Sequence, residues 1–102
     1  ADLLELFGVP REILPAVCAT SGVLGEVRAP GELSGIPIAA LVGDQQAALH
    51  GQACFTPGLA KNTYGTGCFL LLQTGPELRR STHRLLTTVG WSDDRGASFA
   101  LE

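Results

Sequence analysis

The chain has 102 residues, of which 45% are hydrophobic and 17% charged, and its net charge is -3. This charge excludes a broad cationic surface for nucleic acid or for an acidic membrane, and no apolar run approaches the roughly 20 residues that span a bilayer. A mean hydropathy of +0.23 is high for so small a domain, so we expect a partner to cover part of the apolar surface. We therefore expect a cytoplasmic protein, and both chain ends look like cuts within a longer one.

The N-terminal third predicts several short elements. Asp2 is a candidate cap for a helix that stops at Gly8-Val9-Pro10, and a second helical turn is expected after Pro10. Two short strands, Val17 to Thr20 and Val23 to Val27, are predicted on either side of a turn at Ser21-Gly22.

The middle of the chain predicts a strand followed by a helix. The nearly unbroken apolar run Ile36 to Val42 is typical of a strand buried on both faces of a sheet. Gly43 ends that strand, and Asp44 is a natural N-cap for a helix over Gln45 to Phe55. Thr56-Pro57-Gly58 then predicts a type II turn.

The second half predicts two antiparallel hairpins. The first joins Leu59 to Tyr64 with Cys68 to Thr74 through Gly65-Thr66-Gly67, and the second joins Leu85 to Trp91 with Ala97 to Leu101. Because the pattern changes near the helix after Asp44, we expect that helix to link two domains.

Asp44 lies where a predicted strand ends and a helix begins, a position that often lines a ligand crevice in α/β sheets. Its carboxylate could accept a proton from a substrate hydroxyl, and the Gln45 amide could hold the same substrate. The alternative is that Asp44 only caps the helix and Gln45 is solvated. The local pattern alone favours the cap.

The turn Gly65-Thr66-Gly67 could bind phosphate, because two residues without a Cβ let backbone N–H groups approach an anion while Thr66 adds a hydroxyl. An ordinary hairpin turn is the alternative. The sequence is neither a Walker A loop nor a dinucleotide fingerprint, since Leu70 stands where the third glycine would be.

The remaining candidates have ordinary structural interpretations. Lys61 is interpreted as a strand residue beside the turn, and the alternative is that its positive charge assists phosphate binding. The three cysteines are expected to be reduced and mostly buried, and the His50 and Cys54 pair is attributed to chance rather than to a metal site.

Taken together, these motifs resemble those of a known family. Gly43 to Leu49, Gly51-Gln52 and Lys61 to Phe69 resemble the glycerol kinase branch of the FGGY carbohydrate kinases. The likeness is dense from Ile36 to Gly75 and looser towards both ends.

The resemblance implies an α/β fold that is part of an actin-like, ribonuclease H-like ATPase. Residues 1–50 would form the end of the first, substrate domain, and residues 51–102 the antiparallel start of the second, nucleotide domain. By the same likeness Asp44 is the catalytic base, Gln45 and Phe69 contact glycerol, and Gly65, Thr66 and Gly67 contact the phosphates of ATP. No residue of the chain is expected to bind a metal on its own, and Mg2+ would enter bound to ATP.

The implied reaction is transfer of the γ-phosphoryl group of ATP to a terminal hydroxyl of glycerol, which gives glycerol 3-phosphate. The expected partners are glycerol, ATP, the remainder of the kinase chain and, for the intact enzyme, further copies of itself. Two alternatives stay open: another sugar kinase of the family, acting on a pentulose or gluconate, and a non-catalytic nucleotide-binding or interaction module. Because other parts of the family's pockets lie outside this chain, we expect the chain alone to be inactive.

Overall fold

The structure, a computed structural model, describes residues 2–102 as two small sheets with short helices. The helices and strands run in the order α1 Asp2–Phe7, a 3-10 turn Arg11–Ile13, β1 Ser21–Glu26, β2 Pro37–Ala40, α2 Asp44–Gly51, β3 Ala60–Tyr64, β4 Cys68–Gly75, β5 Thr87–Asp93 and β6 Gly96–Leu101. The predicted helical segments before residue 14 are confirmed. The predicted cap at Asp2 depends on a side chain outside the described part of the chain.

The first sheet is an antiparallel pair of β1 and β2. The predicted turn at Ser21-Gly22 is wrong, since both residues lie inside β1, and Val17 to Thr20 forms no strand. The predicted burial of Ile36 to Val42 is also wrong, because all four residues of β2 are exposed. An apolar run shows that a strand can be covered on both faces, but among residues 2–102 no helix covers β2.

The second sheet has four antiparallel strands in the order β3-β4-β6-β5. Both predicted hairpins are confirmed, with Tyr64 opposite Cys68 in the first and Asp93 opposite Gly96 in the second. The Asp93 carboxylate shapes the second turn, because its Oδ1 accepts the N–H of Arg95 at 2.8 Å and that of Gly96 at 3.2 Å. Such a local side-chain bond favours a tight turn over a continued strand.

Helix α2 packs on the second sheet, and this contact holds the core. Leu49 from the helix is fully buried with Cys54, Leu71 and Ala100, and the half-buried Trp91 packs against them. By area, burying a leucine such as Leu49 or Leu71 stabilises a fold by about 1.5–3 kcal/mol. This packing therefore fixes the position of α2 on the sheet that also carries the glycine turn.

The predicted end of this helix at Phe55 is wrong, because α2 stops at Gly51. Ala53 adopts a left-handed backbone with φ 56, its N–H donates to His50 O, and the N–H of Cys54 donates to Leu49 O. This pair of bonds is the Schellman motif, which normally places glycine at the left-handed residue. Because alanine stands where glycine is usual, the sequence gives no signal that the helix ends here.

The predicted turn after the helix is confirmed. The N–H of Leu59 donates to Thr56 O at 3.2 Å, and Gly58 has φ 92. A type II turn requires a positive φ at this third position, and glycine adopts it without strain. The turn brings the chain from α2 directly into β3.

One pair of side chains connects β5 with the segment before β1. Thr20 N–H donates to Ser92 Oγ and Ser92 N–H donates to Thr20 Oγ1, both at 3.1 Å. The contact joins the two halves of the chain where β1 approaches β5.

Many large apolar side chains are exposed, including Leu6 at 74% and Phe7 at 71% on α1. Of the three cysteines, all free, only Cys54 is buried, so the prediction of mostly buried thiols is wrong for Cys18 and Cys68. Among the helices described for residues 2–102, none has the length and hydropathy needed to cross a bilayer.

Candidate active site

Asp44 is the first residue of α2, and its carboxylate is exposed. The residue at the N-cap is Gly43, and no side chain caps the helix. The interpretation of Asp44 as the cap is therefore wrong. Its charge still suits the helix N-terminus, where the exposed N–H groups favour an anion.

Gln45 lies beside this carboxylate. Its Nε2 donates to Asp44 Oδ2 at 3.1 Å, while Asp44 Oδ1 has no hydrogen-bond partner within the described chain. The amide leaves its second N–H for another acceptor. Asp44 and Gln45 thus present one free carboxylate oxygen and one free amide donor side by side.

The ammonium group of Lys61 fixes the orientation of that amide. Lys61 Nζ donates to Gln45 Oε1, to Thr63 Oγ1 at 2.9 Å and to Phe69 O at 3.2 Å. An ammonium group only donates, so the oxygen of the Gln45 amide must face it and the nitrogen must face Asp44. All three N–H groups are in use, which leaves none for the phosphate contact considered from the sequence.

Lys61 is only 5% exposed and forms no ion pair with any residue in 2–102. Its register explains the burial: it lies opposite the fully buried Leu71, and paired residues of an antiparallel sheet share a face. That face lies under α2. The signal in the sequence was this inward position of a lysine, which the assignment of Lys61 as an ordinary strand residue missed.

The glycine turn leaves donors open at its tip. Gly65 N–H donates to Gly67 O at 2.9 Å. The N–H groups of Thr66 and Gly67 and the Thr66 hydroxyl have no partner in the described structure, and Gly65 and Thr66 are exposed. Backbone N–H groups that converge at a turn in this way can receive an anion.

Phe69 connects this turn to the buried lysine. A Cβ added at Gly67 would lie 2.6 Å from Cε2 of the Phe69 ring, a distance that real contacts do not reach. A side chain at 67 would therefore displace the ring. The ring stays 41% exposed, so it can contact a small ligand, while its backbone oxygen accepts from Lys61.

The structure therefore links four of the predicted site residues through Lys61. Contacts run from Asp44 to Gln45, from Gln45 through Lys61 to Phe69, and from the Phe69 ring to Gly67. Gly65 and Thr66 extend beyond this set at the tip of the hairpin. No hydrogen bond within residues 2–102 joins Asp44 to the turn, so a ligand would have to bridge them.

A cleft of about 340 Å³ lies on another face of α2 and is lined by residues that include Gln46, His50 and Trp91, but not by Asp44 or the turn. The His50 ring contacts the rings of Phe55 and Trp91 edge-on, at 4.9 and 5.5 Å between centroids. The exposed His50 ring thus lies in an aromatic group with Phe55 and Trp91. The part of the chain that the structure describes holds no cluster of three metal-ligating residues.

Comparison with known proteins identifies close relatives, although no family model matches the chain. It is 52% identical over 102 residues to a glycerol kinase of Shewanella amazonensis and 54% identical over 102 residues to one of Desulfitobacterium hafniense. These alignments cover 100% and 99% of the chain but 21% of each relative, so the chain spans about a fifth of their length.

The fold agrees with the sequence. The crystal structure of Plasmodium falciparum glycerol kinase with ADP matches with a TM-score of 0.89 and 36% identity, over 99% of this chain and 21% of that one. The mixed arrangement of short helices and antiparallel sheets is consistent with an actin-like ATPase fold, as expected from the resemblance. By sequence and by fold, the chain matches glycerol kinases as the counterpart of about a fifth of their length.

Proposed function

We propose that the full-length protein containing this chain is an ATP-dependent glycerol kinase that makes glycerol 3-phosphate. The observation that carries the proposal is the carboxylate of Asp44. It lies at a helix start without capping the helix, and one of its oxygens is free beside a fixed amide. A carboxylate held in this way suits the removal of a proton from an alcohol.

In this proposal Asp44 accepts the proton of a terminal glycerol hydroxyl as the hydroxyl oxygen attacks the γ-phosphorus. The bond from that phosphorus to the β–γ bridging oxygen breaks, and ADP leaves. The free N–H of Gln45 donates to a neighbouring hydroxyl, and the exposed ring of Phe69 contacts the carbon chain. Positioning an alcohol beside its base is the main contribution that a kinase makes to the attacking side of phosphoryl transfer.

The phosphates of ATP would bind at the turn of Gly65, Thr66 and Gly67. Its unpaired N–H groups and hydroxyl are donors for the negative charge on phosphate oxygens. Mg2+ would arrive with ATP, as part of the substrate. The structural relative was solved with ADP, which supports a nucleotide ligand for the family.

We also propose that residues 1–50 end the substrate domain and residues 51–102 begin the nucleotide domain. The exposed apolar side chains of α1 and β2 support a role for the remainder of the chain as their cover. With ATP as a substrate we place the enzyme in the cytoplasm, and we expect it to assemble from several copies.

The test is a coupled assay of ADP release by the full-length protein with glycerol and, separately, with xylulose or gluconate. We expect turnover with glycerol and little with the sugars. A preference for xylulose or gluconate would contradict the substrate, and ATP binding without turnover of any alcohol would favour a non-catalytic module. The 102-residue chain alone is expected to be inactive in the same assay.

A further inference from the structure

We infer that Lys61 is a positioning residue that sets the glycerol-binding geometry by holding Gln45 and Phe69 in one fixed relation. The inference rests on the proposed function, because it concerns the substrate contacts of that site. Lys61 would touch neither glycerol nor ATP.

The first support is that one nitrogen bonds both proposed glycerol contacts. Lys61 Nζ donates to the side chain of Gln45 and to the backbone oxygen of Phe69. These two residues come from α2 and β4, which meet only by packing. Hydrogen bonds from Lys61 on β3 to both residues join these two separate contacts into one rigid unit.

The second support is the burial of a positive charge without a counter-charge. Lys61 is 5% exposed, and its partners are three neutral oxygens. Removing an ammonium group from water costs much more than a methionine of similar length would, so packing alone does not explain the choice. The three N–H donors of the ammonium group explain why a lysine is used, because no other side chain of this length can donate to three oxygens from one atom.

The third support is the consequence for Asp44. Because Lys61 fixes the direction of the Gln45 amide, Nε2 points at the carboxylate. Without the lysine, the amide is free to turn its oxygen towards Asp44, and the carboxylate loses its donor. Lys61 therefore acts on the base through Gln45, and on the ring through the backbone of Phe69.

The test is a double-mutant cycle in the full-length protein with Lys61→Met and Gln45→Ala. We expect Lys61→Met alone to lower kcat/KM for glycerol about 10- to 100-fold, the range for a misplaced substrate, and to change the KM for ATP less than about threefold. In the Gln45→Ala background the same change should cost at least about fivefold less, since residues that act through each other are not additive.

The matched control is Gln73→Met, which also removes a buried, hydrogen-bonded polar group from the same sheet. It should lower the melting temperature without changing kcat/KM for glycerol in the folded protein. If Lys61→Met behaves like this control, or if its loss adds fully to that of Gln45→Ala, the inference is overturned.

Should Lys61→Met not fold, the cycle is run with Lys61→Arg. The planar guanidinium keeps the charge but cannot place one nitrogen against all three oxygens, so a smaller, non-additive loss of kcat/KM for glycerol is expected. An additive loss or none would again overturn the inference. A wild-type protein that does not phosphorylate glycerol contradicts the proposed function instead, and that is decided before any variant is made.

Discussion

Asp44→Asn separates the proposed catalytic role of this residue from a structural one. The substitution keeps the size and shape of the side chain but removes its charge and basicity. Asp44 makes no capping bond, and its side chain is exposed. The only structural loss is the favourable interaction of a charge with the helix N-terminus, about 0.3–1 kcal/mol before screening by salt.

The catalytic loss should be far larger. General base catalysis by a positioned group contributes about 10²- to 10⁴-fold, which corresponds to about 2.7–5.4 kcal/mol at 1.36 kcal/mol for each tenfold change. We therefore expect kcat with glycerol to fall by at least a hundredfold. The melting temperature should fall by at most a few degrees, because the structural loss is at most about 1 kcal/mol.

The assay is coupled ADP release by the full-length protein, together with a thermal melt of the same sample. Asp94→Asn is the matched control, since Asp94 is an exposed aspartate in the β5–β6 turn, away from the proposed site. It should leave kcat unchanged. A kcat for Asp44→Asn within tenfold of the wild type would refute the role as base, and a large loss of stability would restore the cap interpretation.

Three further changes test other parts of the site and fold. Gly67→Ala should displace the Phe69 ring and raise the KM for glycerol about tenfold or more; in a Phe69→Ala background it should change that KM less than twofold, and equal effects in both backgrounds would contradict the contact. Thr66→Val should raise the KM for ATP about tenfold, the lower end for a lost hydrogen bond to a charged group, and an unchanged KM would remove Thr66 from the phosphate site. Ala53→Gly should raise stability by about 1 kcal/mol by relieving a left-handed alanine, and a lower melting temperature would refute that strain.

The hairpins and the turn at Pro57-Gly58 were predictable from the sequence because turn chemistry is local. The glycine turn at 65–67 and the type II turn depend on a few neighbouring residues, and the structure confirms both. The end of α2 was not predictable in this way. Ala53 stands at a left-handed position that glycine normally marks, so the usual stop signal is missing.

Burial depends on what covers an element, and the sequence pattern does not say what that is. The run Ile36 to Val42 is as apolar as a buried strand, yet β2 is exposed in the described chain. Lys61 is the opposite case: its residue type predicts exposure, but the register under α2 buries it. Both errors concern contacts between elements distant in sequence.

For the site, residue types and spacing predicted the candidates but not their relations. Asp44 and the glycine turn were each open to an ordinary structural interpretation. The absence of a capping bond at Asp44 and the contact of Phe69 with Gly67 are geometric facts that no local pattern contains. The role of Lys61 between Gln45 and Phe69 emerged only from the structure.

The most direct test of this account is a crystal structure of the full-length protein with glycerol and a non-hydrolysable ATP analogue. We expect a terminal glycerol hydroxyl at about 2.5–3.0 Å from a carboxylate oxygen of Asp44, the range for an O–H···O bond. We also expect phosphate oxygens at the N–H groups of Thr66 and Gly67. Glycerol bound away from Asp44, or phosphates bound away from this turn, would contradict this expectation.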